Sequence, residues 1–112
     1  MKKIEAIIRP ERLPAVRAAL EEIGYPGMTL SEVKGHGKQA GQMLQSRGVK
    51  YEIDFLPRTK LEIVVIDNDV SKLVNAIIRT ARTGEPGDGK IFVMPVDSAI
   101  RIRTGDRGIN AI

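Results

Sequence analysis

Two clusters of residues in this 112-residue chain are spaced for anion chemistry. Thr83-Gly84-Glu85-Pro86-Gly87-Asp88-Gly89-Lys90 gathers three glycines and a lysine in one short stretch. Glycines let successive backbone N–H groups curl around an oxyanion, and a lysine at the rim adds charge. Gly84 to Lys90 also fits G-x-x-x-x-G-K, the opening of a P-loop. The fit stops at Ile91, which stands where a Ser or Thr would hold Mg²⁺, and a strand-like run follows where a P-loop needs a helix. A P-loop NTPase is therefore set aside. Two readings of the stretch remain, a phosphate-binding loop or a Gly/Pro segment that only ends a helix. Arg101-Ile102-Arg103 is the second cluster. In an extended segment its alternation predicts both guanidiniums on one side, placed to clamp an oxyanion with paired N–H donors.

Other chemistries find few residues. The absence of cysteine removes disulfides, thiolate zinc sites and Cys nucleophiles together. A single histidine, His36, cannot build a multi-histidine metal site and leaves little for a Ser-His relay. Gly35-His36-Gly37-Lys38-Gln39-Ala40-Gly41 is too long for G-x-G-x-x-G and opens no helix, so it is not a dinucleotide turn. The charge balance, 18 Lys+Arg against 14 Asp+Glu, is only mildly basic. RNA-binding domains stack bases on strand aromatics, and Phe92 is the one aromatic in any expected strand, so nucleic acid is not an expected partner. No stretch approaches the ~20 apolar residues of a membrane span, and no long apolar run follows Lys2-Lys3. A soluble, cytoplasmic, single domain is expected, with no direct membrane insertion.

The elements that must position these clusters come in two similar halves. Lys3-Ile4-Glu5-Ala6-Ile7-Ile8 leans to strand, and Leu13, Val16, Leu20 and Ile23 then mark one face of a helix. Met28 to Lys34 alternates as a second strand. Lys60-Leu61-Glu62-Ile63-Val64-Val65 mirrors the first strand, Val70, Leu73 and Ile77 mirror the helix, and Ile91 to Val96 supplies a last strand. Tandem βαβ halves predict an α+β fold, a ferredoxin-like β-α-β-β-α-β sandwich over residues 1–112. The middle connection, about 37–55, far exceeds the usual loop of ~4–6 residues. It is either an insertion without a role or, the reading adopted, an arm that contacts something else.

With these residues in view, the chain resembles the PII signal-transduction proteins nearly end to end. The carriers are Gly27-Met28-Thr29, Ser31-Glu32-Val33-Lys34-Gly35, Arg47-Gly48 with Tyr51, and Asp54-Phe55-Leu56-Pro57. Thr83-Gly84, the run Gly87 to Val93, and Arg101-Ile102-Arg103-Thr104-Gly105 complete them. The resemblance implies a homotrimer with nucleotide sites between subunits, which binds ATP or ADP and, with Mg²⁺ and ATP in place, 2-oxoglutarate. It implies that Gly87, Asp88, Gly89 and Lys90, in a loop about 83–90, wrap the phosphates. Arg101 and Arg103, in a C-terminal segment 97–112, would reach those phosphates across the interface. Thr29, Glu62 and Val64 would line the adenine, and Gly35, Gly37 and Lys38 would close over the nucleotide. Gln39 would help hold Mg²⁺ and the 2-oxo acid beside Gly41, Gly87 and Arg58.

The long loop would dock on an ammonium transporter and on nitrogen-metabolism enzymes or regulators, with Arg47 as its anchor. Tyr51 aligns with a tyrosine that some lineages uridylylate or adenylylate; Val49 closes the serine route of others, and Ser46 is expected to stay unmodified. Arg58 departs from the family's usual lysine and puts 2-oxoglutarate affinity in question. Ala40 replaces a usual basic residue and His36 a usual aromatic, while Lys38 keeps the usual positive charge. The expected function is a non-enzymatic regulator, the alternatives being an adenylate-only sensor or a slow ATPase. Asp88 and Glu62 lie near the expected site, but neither is identifiable as a water-activating base from sequence.

Overall fold

The computed structural model describes residues 1–35 and 55–112 in full and, between them, the backbones of 43–46 and 49–52. Strand β1, Lys2–Ile8, alternates strictly: Ile4, Ala6 and Ile8 are buried, while Lys3, Glu5 and Ile7 lie on the other, half-buried face. Helix α1, Leu13–Ile23, and helix α2, Val70–Ala81, turn Val16, Leu20, Leu73 and Ile77 onto the buried face. Removing each such side chain from water stabilises the fold by about 1.5–3 kcal/mol. α1 ends where the N–H groups of Gly24 and Tyr25 return to the Leu20 carbonyl, at 3.2 and 2.9 Å.

Four strands form one antiparallel sheet in the order β2-β5-β1-β6. Here β2 is Thr29–Gly35, β5 is Leu56–Val65 and β6 is Lys90–Pro95. This is the α+β ferredoxin-like sandwich that the paired halves predict, with the two copies of the first strand, β1 and β5, joined at the centre. Within 37–55, read from sequence as a loop, β3, Met43–Ser46, pairs antiparallel with β4, Val49–Glu52. These runs are short and flanked by polar residues, so no period-two pattern reveals them.

The strand register defines two ends of the sheet. At one, Ile7 faces Lys90, Ile8 faces Thr59 and Val33 faces Arg58. At the other, Lys2 faces both Val65 and Pro95, and the Val96 N–H donates to the Met1 carbonyl at 3.2 Å. β1 is 7 residues long, so the ends are roughly 20 Å apart. The halves differ in how each helix returns to the sheet. Residues 24–28 suffice after α1, whereas 82–89 follow α2 and carry the glycine-rich stretch.

Candidate functional site

The glycine-rich loop is built around one carboxylate. Asp88 Oδ2 accepts the backbone N–H groups of Thr83 at 2.9 Å and Gly84 at 2.8 Å. Its Oδ1 accepts the Thr83 hydroxyl and, at 3.1 Å, the Arg9 Nε–H. Arg9 also donates through Nη2 to the Pro86 carbonyl at 2.8 Å. These donors, the Thr83 hydroxyl foremost, hold the Asp88 carboxyl well below the usual carboxylate range. The Asp88 side chain therefore shapes the loop, and what it leaves for a ligand is backbone.

Gly89 closes the loop against β1. Its φ is +96°, and a Cβ there would lie 1.7 Å from the Ile7 carbonyl oxygen. Only glycine fits so close to a neighbouring backbone. Lys90 follows as the first residue of β6, exposed and opposite Ile7. A cleft of about 410 Å³ opens here, lined by Ile7, Ile78, Arg82, Asp88, Gly89 and Lys90. The loop follows the C-terminus of α2, the negative end of a helix dipole, whereas a P-loop offers a helix N-terminus. Any anion held here depends on cationic side chains and backbone N–H groups. Gly35 belongs to the same end, and a Cβ on it would sit 3.4 Å from the Arg58 Cγ.

The other sequence-predicted residues line a separate cleft. Thr29 and Glu62 are cross-strand partners, and with Val64, Lys3, Gly27 and Ile112 they line a second cleft of about 570 Å³. Glu62 accepts from Lys3 Nζ at 3.1 Å and lies 3.6 Å from Lys60 Nζ, and the Lys3 hydrogen bond lowers its pKa. Lys60 also reaches Glu5 at 3.7 Å, so charge covers the sheet face away from the helices. The segment carrying Arg101 and Arg103 leaves β6 at Pro95, opposite Lys2, and its last residue, Ile112, comes back to line this cleft.

The expected geometry of the arginine pair is overturned. Residues 101–105 form a turn, closed by the Gly105 N–H on the Arg101 carbonyl at 2.7 Å and an Ile100–Arg107 bridge. Gly105 has φ +76°, a backbone state that ends any extended alternation. Arg101 lies 3.6 Å from Asp106, and the fully exposed Ile102 separates it from exposed Arg103. Neither arginine lines the cleft at Lys90. Within one chain the two halves of the predicted site thus stay apart. Gly37, Lys38, Gln39, Gly41 and Arg47 lie outside the described residues, as does the side chain of Tyr51.

Sequence reading missed Arg9 as part of this loop, and it placed Thr83 there without its bonds to Asp88. Arg9 is 79 residues from Asp88, and no local spacing announces such a contact. Among the described residues, no three His, Cys, Asp or Glu side chains gather as a metal would require. None of the described helices is long and apolar enough to cross a membrane.

Fold and loop together define a small α+β sandwich with a glycine-rich, cation-flanked loop at one end of its sheet. A family model described as nitrogen regulatory protein P-II matches residues 1–106, and the chain belongs to that family. It is 54% identical to the nitrogen regulatory protein P-II of Nostoc punctiforme and 53% identical to that of Bradyrhizobium diazoefficiens, over 100% of both chains in each pair. It is also similar to the crystal structure of Arabidopsis thaliana PII bound to citrate. There the identity is 45% and the TM-score 0.82, covering 99% of this chain and 91% of that one.

Proposed function

We propose that the protein is a cytoplasmic, non-enzymatic regulator that binds ATP or ADP, and 2-oxoglutarate with Mg-ATP, and controls nitrogen assimilation through its long loop. The observation that carries this reading is the separation of the two ligand-facing sets. Asp88 to Lys90 line one cleft, with Gly35 and Arg58 at the same end of the sheet, while Thr29, Glu62 and Val64 line another and the Arg101–Arg103 segment follows β6 away from Lys90. In a homotrimer the phosphate end of one protomer meets the adenine and arginine end of the next. Mg²⁺ enters with the nucleotide, and Gln39 and Gly41 join it to the 2-oxo acid, while Gly37 and Lys38 close the base of the loop. Because the 2-oxo acid then chelates a cation already on ATP, the two ligands are positively coupled. Citrate in the Arabidopsis relative is a polycarboxylate, which supports a site open to carboxylate effectors.

The loop docks on an ammonium transporter and on nitrogen-metabolism enzymes or regulators, with Arg47 as anchor and Tyr51 as a candidate acceptor for uridylylation or adenylylation. Turnover is not part of the reading. Asp88 and Glu62 both have lowered pKa values, and a carboxylate held that acidic is a poor base for activating water at neutral pH. An adenylate-only sensor is the second reading, because Arg58 is a planar guanidinium turned in part onto its own backbone, Nη1 donating to the Pro57 carbonyl at 2.8 Å.

Calorimetric titration of 2-oxoglutarate with and without Mg-ATP tests the reading. Heat only with Mg-ATP present supports the coupled sensor. ATP binding with no 2-oxoglutarate response selects the adenylate sensor, and Arg58→Lys should then bring the response back. Binding of neither overturns both. Lys90→Ala and Arg103→Ala should each weaken ATP binding about tenfold or more, the worth of one charge-assisted contact to a phosphate. Unchanged affinity in both would sink the phosphate assignment.

A further inference from the structure

We infer that Arg9 is a positioning and charge-balancing residue of the 83–90 loop, so that ATP affinity depends on a guanidinium that touches no ligand. The inference rests on the nucleotide reading above. Arg9 closes β1 directly after buried Ile8, and Pro10 holds it extended at φ −64°, ψ 135°. From that fixed mount its side chain, only 12% exposed, forks onto the loop. Nε reaches Asp88 Oδ1 at 3.1 Å and Nη2 the Pro86 carbonyl at 2.8 Å. A lysine offers one point charge and cannot hold both acceptors in this planar geometry.

The charge argument is independent of the shape argument. An anion at Gly87 to Lys90 meets two negative neighbours, the C-terminal end of α2 and the Asp88 carboxylate. Of the cations in the described structure, Arg9 is the one in contact with Asp88. Without it, a bare carboxylate would stand beside the phosphates, and repulsion would grow with phosphate charge. Arg9 therefore sets both the shape of the loop and the sign of its field.

The test compares ATP and ADP binding to the full-length protein by calorimetry. Arg9→Met is expected to weaken ATP about tenfold or more and ADP less, because the repulsion scales with ligand charge. Adding Asp88→Asn removes the bare carboxylate, so the double variant should show the ATP:ADP ratio of Asp88→Asn alone. Arg9→Lys keeps the charge and loses the fork, so it should weaken both nucleotides modestly while keeping the wild-type ATP:ADP ratio. Should Arg9→Met fail to fold, Arg9→Gln, neutral but still a donor, is read in its place. ATP affinity within about twofold of wild type in the neutral variant would overturn the inference. So would an equal loss for both nucleotides with fully additive double-variant losses. A wild-type protein that binds neither nucleotide would overturn the nucleotide reading first, and this inference with it.

Discussion

Gly89→Ala is expected to lower the unfolding free energy by about 3 kcal/mol, the sum of a left-handed backbone penalty and an overpacked contact. The added methyl would stand 1.7 Å from the Ile7 carbonyl oxygen, 2.8 Å from its carbon and 3.5 Å from the Ile8 Cα. None of these atoms can yield easily. Ile7 belongs to β1, which is paired on both sides by β5 and β6, so moving it strains two ladders. The relief open to the variant is to lift the loop from the sheet, which unseats Asp88 and Lys90 together. Thermal unfolding at fixed protein concentration should therefore fall by about 10 °C or more, and nucleotide titration should lose its signal. A melting temperature equal to wild type would show that the close approach carries no energy.

Asp88→Asn is the second large effect, and it has a pH signature. The carboxylate accepts four hydrogen bonds, two from backbone N–H groups, one from a hydroxyl and one from a guanidinium. An amide oxygen replaces only part of this set and removes the ion pair with Arg9. The loss at neutral pH should be about 2 kcal/mol, the scale of hydrogen bonds to a charged group on a side chain that is part-buried. The folded-state pKa lies below the unfolded value, so the contribution is complete above the unfolded pKa of about 4 and fades as pH falls from there toward the folded value. Wild-type stability should drop across this acid range more steeply than that of Asp88→Asn. Urea titrations at stepped pH would show the two curves converging on acidification. Parallel curves would remove Asp88 as the group responsible. Amide exchange at Thr83 and Gly84 should speed up in the variant at neutral pH.

The sequence made the sheet readable because its signals are local. Ile4, Ala6 and Ile8 alternate along β1, and Leu73 and Ile77 recur along α2, with the periods that strands and helices require. The lower boundary of β5 was less plain. Its register runs back to Leu56, through Pro57 and Arg58, where no apolar alternation marks a strand. Contacts between distant residues were out of reach. Arg9 beside Asp88, and Tyr25 donating to Asp69, join segments that only the folded sheet brings together. The turn at 101–105 was misread for the opposite reason. Two arginines around an isoleucine mimic a strand, and Gly105, which bends the chain back, follows just after the pattern ends. The candidate site was legible as a set of residue types, while its division between two clefts was a property of the fold.

In the homotrimer proposed above, that division would make the protomers complementary. A chain carrying Lys90→Ala keeps an intact arginine end, and a chain carrying Arg103→Ala keeps an intact phosphate end. In that trimer, neither would form an undamaged site with copies of itself. Unfolded and refolded together in equal amounts, they should assemble trimers in which roughly one interface in four joins two undamaged halves. Two weakened preparations would then yield a fraction of tight sites that neither has alone, set by chance pairing.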